Sequence, residues 1–472
     1  MFTNKIKNFS LYCIDKLYLY NMSLITQKLQ DIIQDFSVSK ENKTHYGEVR
    51  TDFKLIKKMF NLLPKELLTN PNLKWCDPCC GNGYFSIYLY FQLLKNQTKI
   101  KALKKMHYQV IQQFTMIEIN KDYKNGLREF FGEKSNIYQK NFLEHNEKFD
   151  IIIGNPPFNC EGLKKVPTQK TRSKKEDGKN AWIPFLKHSI DCLNPNGYLL
   201  FITPSIWMKN DHPIFHYMQK YKIHKLHTMT NTETNKIFHK QAQTPTCYFL
   251  LQKKPSNQTI FIYEKYLSTY STYFVNDLSI PLQGVSIFNK LRTFVKKYDS
   301  IHVIKTSIRP SYKSFKLNDT KTEEFPHPNI STCRLNKLTP TLIIKYSNKA
   351  LKYSEQPKLV LAHKMYGFPY LDTNGEYGIC NRDNYIILDS IPNLLRLQQF
   401  LSTTFSMFLF EGTRYRMKYL ERYIFELIPN ICNIPDFPEV INNQTIFEYF
   451  KLNSMERKMI MGFFKRKYSF FI

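Results

Sequence analysis

Between His45 and about Lys253 the chain alternates two hydrophobic rhythms. Stretches with apolar residues at helical spacing (Asp52–Leu63, Phe85–Lys95, Ala181–Cys192) separate short apolar runs (Phe114–Ile117, Phe149–Ile153, Gly197–Ile202, Thr246–Leu251). Runs of this kind, with no polar alternation, mark strands covered on both faces. Divided by helices, they predict an α/β domain with a mostly parallel sheet and helices on both faces. Ligands of such sheets sit in the loops at the carboxyl ends of the strands. Ahead of this region Leu24, Leu29, Ile32 and Ile33 share one helical face and predict a helical extension over residues 1–44. Beyond Pro255 strand-like and turn-like pieces dominate, including Lys358–Ala362 and Tyr385–Leu388. A helical tail then runs from Asn393 to about Phe425. The expected organisation is therefore 1–44, 45–255 and 256–472.

Composition adds a partner class. The 472 residues carry 68 Lys+Arg against 39 Asp+Glu, a net charge of +29. Such a surface attracts a polyanion, nucleic acid before an anionic membrane. The basic side chains gather in Glu161–Asn180, which includes Lys164 and Lys165, and again around Arg414, Arg416 and Lys418. No apolar run is long enough for a membrane span, and the first residues lack a signal-peptide core. Cysteines are scattered and read as reduced thiols in the cytoplasm. Cys76-x-x-Cys79 has no second pair at zinc spacing, so no metal is expected.

Three segments carry chemistry. In Asp77-Pro78-Cys79-Cys80-Gly81-Asn82-Gly83-Tyr84-Phe85 a strand end meets a turn with two glycines and then a helix, which lets a ligand approach the backbone closely. Glu118 ends the next apolar run, where folds of this type hold a ribose by its hydroxyls. Phe149–Ile153 runs into Gly154-Asn155-Pro156-Pro157-Phe158, a loop stiffened by two prolines. There Asn155 offers an amide oxygen and Phe158 a flat apolar face. Amide and carbonyl acceptors beside an aromatic ring suit an exocyclic amino group on a stacked base.

Taken together, these segments resemble S-adenosylmethionine-dependent DNA methyltransferases of the adenine-N6 kind, in the gamma-class motif order of type II restriction–modification systems. Gly47-Glu48-Val49-Arg50-Thr51 is similar to the motif ahead of the cofactor loop, with Asp52 where the family has proline. Asn141-Phe142 stands where the family has Asp-Phe. Ala181–Phe185 and Gly197–Pro204 resemble the next two motifs, and Ile237-Phe238-His239-Lys240 the segment whose aromatic stacks on the target base.

The resemblance implies a Rossmann-like catalytic domain and a C-terminal α+β target-recognition domain. It implies S-adenosylmethionine as cofactor, held by Thr51, Asp77, Pro78, Cys79, Gly81, Gly83, Phe85, Glu118, Asn141 and Phe142. Asn155, Pro156, Pro157 and Phe158 would act on a flipped-out adenine of duplex DNA, with Phe158 and Phe238 stacking on it. Lys164, Lys165, Arg414, Arg416 and Lys418 would contact DNA. A monomer, with a separate restriction endonuclease as companion, is the expected assembly. Cysteines 79 and 80 lie inside the cofactor loop and read as loop residues, not nucleophiles. N4-cytosine methylation, methylation of rRNA or of a protein glutamine, and a non-catalytic DNA-binding subunit stay open as alternatives.

Overall fold

The computed structural model describes residues 40–96, 103–161, 179–239, 242, 244–306, 308, 314–336, 339–363, 368–382, 384–416 and 419–463. The extension expected over 1–44 falls outside them except for the start of a helix at Lys40–Tyr46. Lys164, Lys165, Lys240 and Lys418 also lie outside. Among the described residues no helix is long and apolar enough to cross a membrane.

The chain divides into two compact units, Met1–Ser205 with His216–Phe261, and Ile206–Phe215 with Ile262–Ile472. The expected boundary between 255 and 256 falls just ahead of strand Thr259–Glu264, along which the chain passes into the second unit. Nothing in the hydrophobic pattern singles out the short segment Ile206–Phe215.

The first unit is built on seven strands of a nine-stranded sheet. They are β1 (Trp75–Asp77), β2 (Phe114–Glu118), β3 (Asn136–Gln139), β4 (Phe149–Gly154), β5 (Leu193–Pro204), β6 (Tyr221–Met229) and β7 (Thr246–Pro255). Their order is β6-β7-β5-β4-β1-β2-β3. From β5 to β3 all neighbours are parallel, whereas β7 runs antiparallel to both β5 and β6. This is the mostly parallel α/β sheet expected, with β7 as its reversed strand. Period and composition do not distinguish β7 from a parallel strand, because it too is buried along most of its length.

Helices α1 (Phe53–Phe60), α2 (Tyr84–Lys95), α3 (Leu103–Gln112), α4 (Asp122–Phe131) and α5 (Trp182–Asp191) belong to this unit. In α1 Phe53, Leu55, Ile56, Met59 and Phe60 are buried while Lys54, Lys57 and Lys58 face outward. α2 is buried at nearly every position from Phe85 to Leu93 and starts after Gly83, whose φ is +80°. At that φ a side chain is strained, and its Cβ would stand 2.6 Å from Leu127 Cδ2 on α4, so glycine suits this turn.

Strand order reverses between β1 and β4, which is where doubly wound sheets open a crevice. Trp75 pairs with Ile151 and Cys76 with Ile152, and all four are fully buried. Asp77 follows them and is 2 % exposed. Its Oδ2 accepts from Ser86 Oγ at 2.9 Å, while Oδ1 has no hydrogen-bond partner. Burial pushes this carboxyl up to about 7, against the opposing pull of the Ser86 hydroxyl.

In the second unit, two four-stranded sheets accompany helices Val285–Tyr298, Ile391–Leu401, Thr404–Gly412 and Ser454–Phe463. Its main core gathers Phe288, Phe400, Phe405, Phe408, Phe447 and Phe450. The helical tail expected from Asn393 to Phe425 is broken. Thr403 caps a new helix by accepting the Ser406 N–H at 3.2 Å, and a 3-10 segment replaces helix at Arg422–Leu427. A buried ion pair joins Lys358 Nζ to Asp372 Oδ2 at 2.5 Å, with the two side chains 0 % and 2 % exposed. Asp372 also accepts the Glu376 and Tyr377 N–H groups at 2.9 and 3.0 Å.

Two outcomes follow for stability. Asp372→Ala leaves a buried ammonium with the Gln356 carbonyl but no counter-charge and should cost about 3–5 kcal/mol in denaturant unfolding, whereas the double change Lys358→Met with Asp372→Asn, which keeps an acceptor for the Glu376 and Tyr377 N–H groups, should cost less. Asp77 is raised in the folded chain above its unfolded value of about 3.9. The stability it confers as a neutral acid is complete below about pH 4 and is lost as pH rises through about 7. Unfolding midpoints measured from pH 4 to 8 should therefore fall in the native protein and fall less in Asp77→Asn.

Candidate active site

The loops after β1, β2 and β4 converge with the segment 45–51 on one cavity of about 410 Å³. That volume lies within the roughly 300–1,000 Å³ of small-molecule sites. Thr51, Pro78, Cys79, Gly81, Phe85, Glu118, Asn141, Phe142, Asn155, Pro156, Pro157 and Phe158 all line it. Asp77 and Gly83 do not. They lie beneath, where Asp77 ends β1 and Gly83 begins α2.

The loop after β1 is tied to the end of β2. Gly81 N–H donates to Glu118 Oε2 at 2.7 Å, Asn120 N–H to Glu118 Oε1 at 2.8 Å, and Cys80 N–H to the Ile117 carbonyl at 3.1 Å. Burial raises the Glu118 pKa, and the Asn120 and Gly81 N–H groups oppose the rise. The carboxylate is thus held in one orientation with further lone pairs to offer. A Cβ built on Gly81 meets nothing within 4 Å, so the chain bares its backbone to open space here. Ile119, half exposed, stands next to Glu118 on the wall of the cavity. Phe142 stacks on Phe185 at 5.9 Å on another side.

Asn141 lines the cavity with its side chain already engaged. Oδ1 accepts the Leu143 N–H at 3.1 Å as a helix cap, and Nδ2 reaches Glu144 Oε1 at 3.4 Å. Cys79 donates its thiol to the Asn155 carbonyl at 3.5 Å. Burial, with Asp77 adding to it, pushes the Cys79 and Cys80 thiols well above their ordinary range, which suits loop residues and not thiolate nucleophiles.

Asn155 is held from outside its own loop. Its Nδ2 donates to Thr51 Oγ1 at 2.9 Å and to the Val49 carbonyl at 3.4 Å. A backbone carbonyl can only accept, so the amide nitrogen must face Val49 and the oxygen must turn away. That oxygen, Oδ1, is buried and unpaired. Phe158 is 7 % exposed and meets Phe238 edge to face at 6.4 Å. Phe238 itself is 0 % exposed and does not line the cavity; it backs Phe158.

Asp52, where the family has proline, begins α1 without a side-chain cap. Its carboxylate stands 3.2 Å from His239 Nε2 and 3.8 Å from Arg50 Nε. In the second unit Arg414 pairs with Glu411 at 2.7 Å, and Arg416 pairs with Glu421 through two bonds of 2.7 and 2.8 Å. Both guanidiniums expected to contact DNA therefore already hold carboxylate partners.

Further residues complete the lining. Tyr123 donates to Glu48 Oε2 at 2.5 Å, and burial raises the Glu48 carboxyl. Ile119, Lys140, Tyr84 and Phe185 also face the cavity. Tyr123 lies in the first turn of α4, and nothing in the sequence marks it as a cavity residue.

A nucleoside-bearing sulfonium fits this donor set. Glu118 suits a diol, Ile119 and Phe142 suit a flat ring, and Gly81 leaves room for the chain between them.

Comparison with known proteins adds the family. The Eco57I restriction-modification methylase model matches residues 3–238. The type II methyltransferase M.VspI of Vibrio sp. (strain 343) is 29% identical over 184 residues, 37% of this chain and 40% of that protein. The chain thus matches less than half the length of this curated relative. Among solved structures, the type IIL restriction-modification enzyme MmeI in complex with DNA gives a TM-score of 0.43 at 14% identity, over 88% of this chain and 71% of that one. The type IIG restriction endonuclease BpuSI gives 0.42 at 13%, over 91% and 63%. Superpositions this loose say nothing about chemistry. The sequence match over half of the chain is decisive by itself: this protein belongs to the Eco57I restriction-modification methylase family.

Proposed function

We propose that this protein is a site-specific DNA methyltransferase that moves a methyl group from S-adenosylmethionine to the N6 amine of a flipped-out adenine. The observation that carries the reading is the Asn155 amide, fixed through its nitrogen with its oxygen buried and unpaired at the wall of the cavity. A buried acceptor without a partner costs on the order of 1–3 kcal/mol. A substrate N–H removes that cost, so the site favours a donor at this point.

S-adenosylmethionine, when bound, supplies an electrophilic methyl on a sulfonium. The chain's own residues bind and orient. Glu118 and the Gly81 loop hold the nucleoside end. Asn155 Oδ1 and the Pro156 carbonyl accept the two N–H bonds of the target amine and localise its lone pair toward the methyl. Phe158 offers its face to the base, with Phe238 supporting it from behind. Positioning of two held reactants accounts for most of the acceleration. No covalent intermediate with the protein is involved. A base inside a duplex cannot reach this cavity and must leave the stack, at about a few kcal/mol. The C-terminal region, residues 256–472, would choose the site, and the +29 charge would supply phosphate affinity. A separate nuclease would complete a restriction–modification pair.

Incubation with labelled S-adenosylmethionine and unmethylated duplex DNA, followed by digestion to nucleosides, should place the label in N6-methyladenine. Label in N4-methylcytosine would keep the mechanism and change the base; label only in rRNA or protein would overturn the DNA reading. Asn155→Ala should lower kcat about a hundredfold or more, the scale of losing one transition-state hydrogen bond, while leaving S-adenosylhomocysteine affinity within about twofold. Glu118→Ala should do the reverse, weakening S-adenosylhomocysteine about tenfold or more in calorimetry through loss of a charge-assisted bond.

A further inference from the structure

We propose that Thr51 is a positioning residue for Asn155, and that segment 47–51 acts as a strap setting the geometry of the transfer site. The resemblance gave Thr51 to the cofactor. The structure gives its hydroxyl oxygen another task, since Thr51 Oγ1 is the shorter of two acceptors that hold Asn155 Nδ2, at 2.9 Å against 3.4 Å for the Val49 carbonyl. Thr51 is 4 % exposed, so little water competes for that bond.

The strap is pressed against the same loop at its other end. Gly47 has φ +69°, and a Cβ there would lie 1.8 Å from the Asn159 carbonyl oxygen and 3.1 Å from Pro157 Cβ. Just past Thr51, Asp52 pairs with His239 at 3.2 Å, next to Phe238 behind Phe158. Together with the Val49 carbonyl, these contacts register 47–52 against the Asn155–Asn159 loop and its backing.

A terminal amide rotates in a broad two-fold well and has nearly the same shape either way round. Nothing steric keeps the oxygen of Asn155 toward an incoming amine. The Val49 carbonyl, which can only accept, sets which end of the amide faces the strap, and the Thr51 hydroxyl holds the amide in that place with the shorter bond. Without that hydroxyl, the amide is held only by the longer Val49 bond and can swing away from the position in which its oxygen meets the amine. The cost falls on the reacting geometry and not on cofactor binding.

This inference rests on reading Asn155 as the acceptor of the target amine. The test compares the full-length native protein with Thr51→Val, which keeps the shape and removes the oxygen, and with Thr51→Ser, which keeps the oxygen. The readouts are kcat for methyl transfer to unmethylated duplex DNA at saturating S-adenosylmethionine, and the Kd for S-adenosylhomocysteine. Thr51→Val should lose about tenfold in kcat, as expected for one buried hydrogen bond, with Kd within about twofold. Thr51→Ser should recover to within about threefold of native, and Thr51→Val should add little in an Asn155→Ala background. A Kd weakened tenfold in Thr51→Val with kcat intact would return Thr51 to the cofactor and overturn the inference. Native kcat in Thr51→Val would overturn it too, leaving the reaction untouched. Native protein that methylates no DNA base would overturn the reading of the reaction first, and the inference with it.

Discussion

The cavity depends on a very short piece of parallel pairing. Trp75 lies against Ile151 and Cys76 against Ile152, at the place where strand order turns around. Parallel neighbours end on the same side of a sheet. Because β1 and β4 belong to opposite halves of the winding, the helices that follow them go to different places and leave a gap. Two loops with different chemistry, one built on glycine and one on proline, must therefore face each other across it. The four side chains that make the pairing are entirely buried. This leaves no slack for β4 to slide against β1, and a slip of one residue would put Asn155 out of reach of Thr51.

Stiffness is arranged differently on the two sides. The proline loop cannot fold back into helix and has few N–H groups to tie down, so it is braced from outside by residues 47–51. The glycine loop has N–H groups to spare and is braced by Glu118, whose two oxygens take the Gly81 and Asn120 amides. Beneath both, Asp77 is an acid kept largely out of water with one oxygen unpaired. That is a local cost carried at the centre of a site, as buried polar groups of binding sites often carry it.

Much of the first unit was legible because its signals are local. Apolar runs gave β2, β4, β5 and β7 within a few residues, and α1, α2 and α5 followed from helical spacing. The strands β3 and β6 and the helices α3 and α4 carry no such signal in the sequence reading. β3 is mostly exposed, and α4 holds Asn125 and Gly126 near its middle, which weakens a helical pattern. The antiparallel run of β7 was invisible, since strand direction is decided by the connection and not by the strand. In the site, the glycine, acid and Asn-Pro-Pro-Phe segments could be read as motifs and lie around one cavity. Tyr123, Ile119 and the Thr51–Asn155 bond could not. They are long-range contacts, and nothing in a single sequence says which side chain turns toward which. Arg414 and Arg416 show the converse difficulty. Charge was visible, while the carboxylates of Glu411 and Glu421 that hold it were not.

The second unit consists of Ile262–Ile472 together with Ile206–Phe215, which leaves the first unit between β5 and β6 and then returns to it. Trp207, Met208, Ile214 and Phe215 in that short segment are buried almost completely. A gene fusion that replaced everything after residue 261 would bring a new second unit without the partners that Asn210 and Met208 hold at Ser279, Glu426 and Ile280. It would also strand the old decapeptide, with its tryptophan and phenylalanine, in solvent. Exchange of the second unit by recombination thus takes two coordinated events, and the lineage is expected to diversify by substitution within that unit more readily than by wholesale replacement.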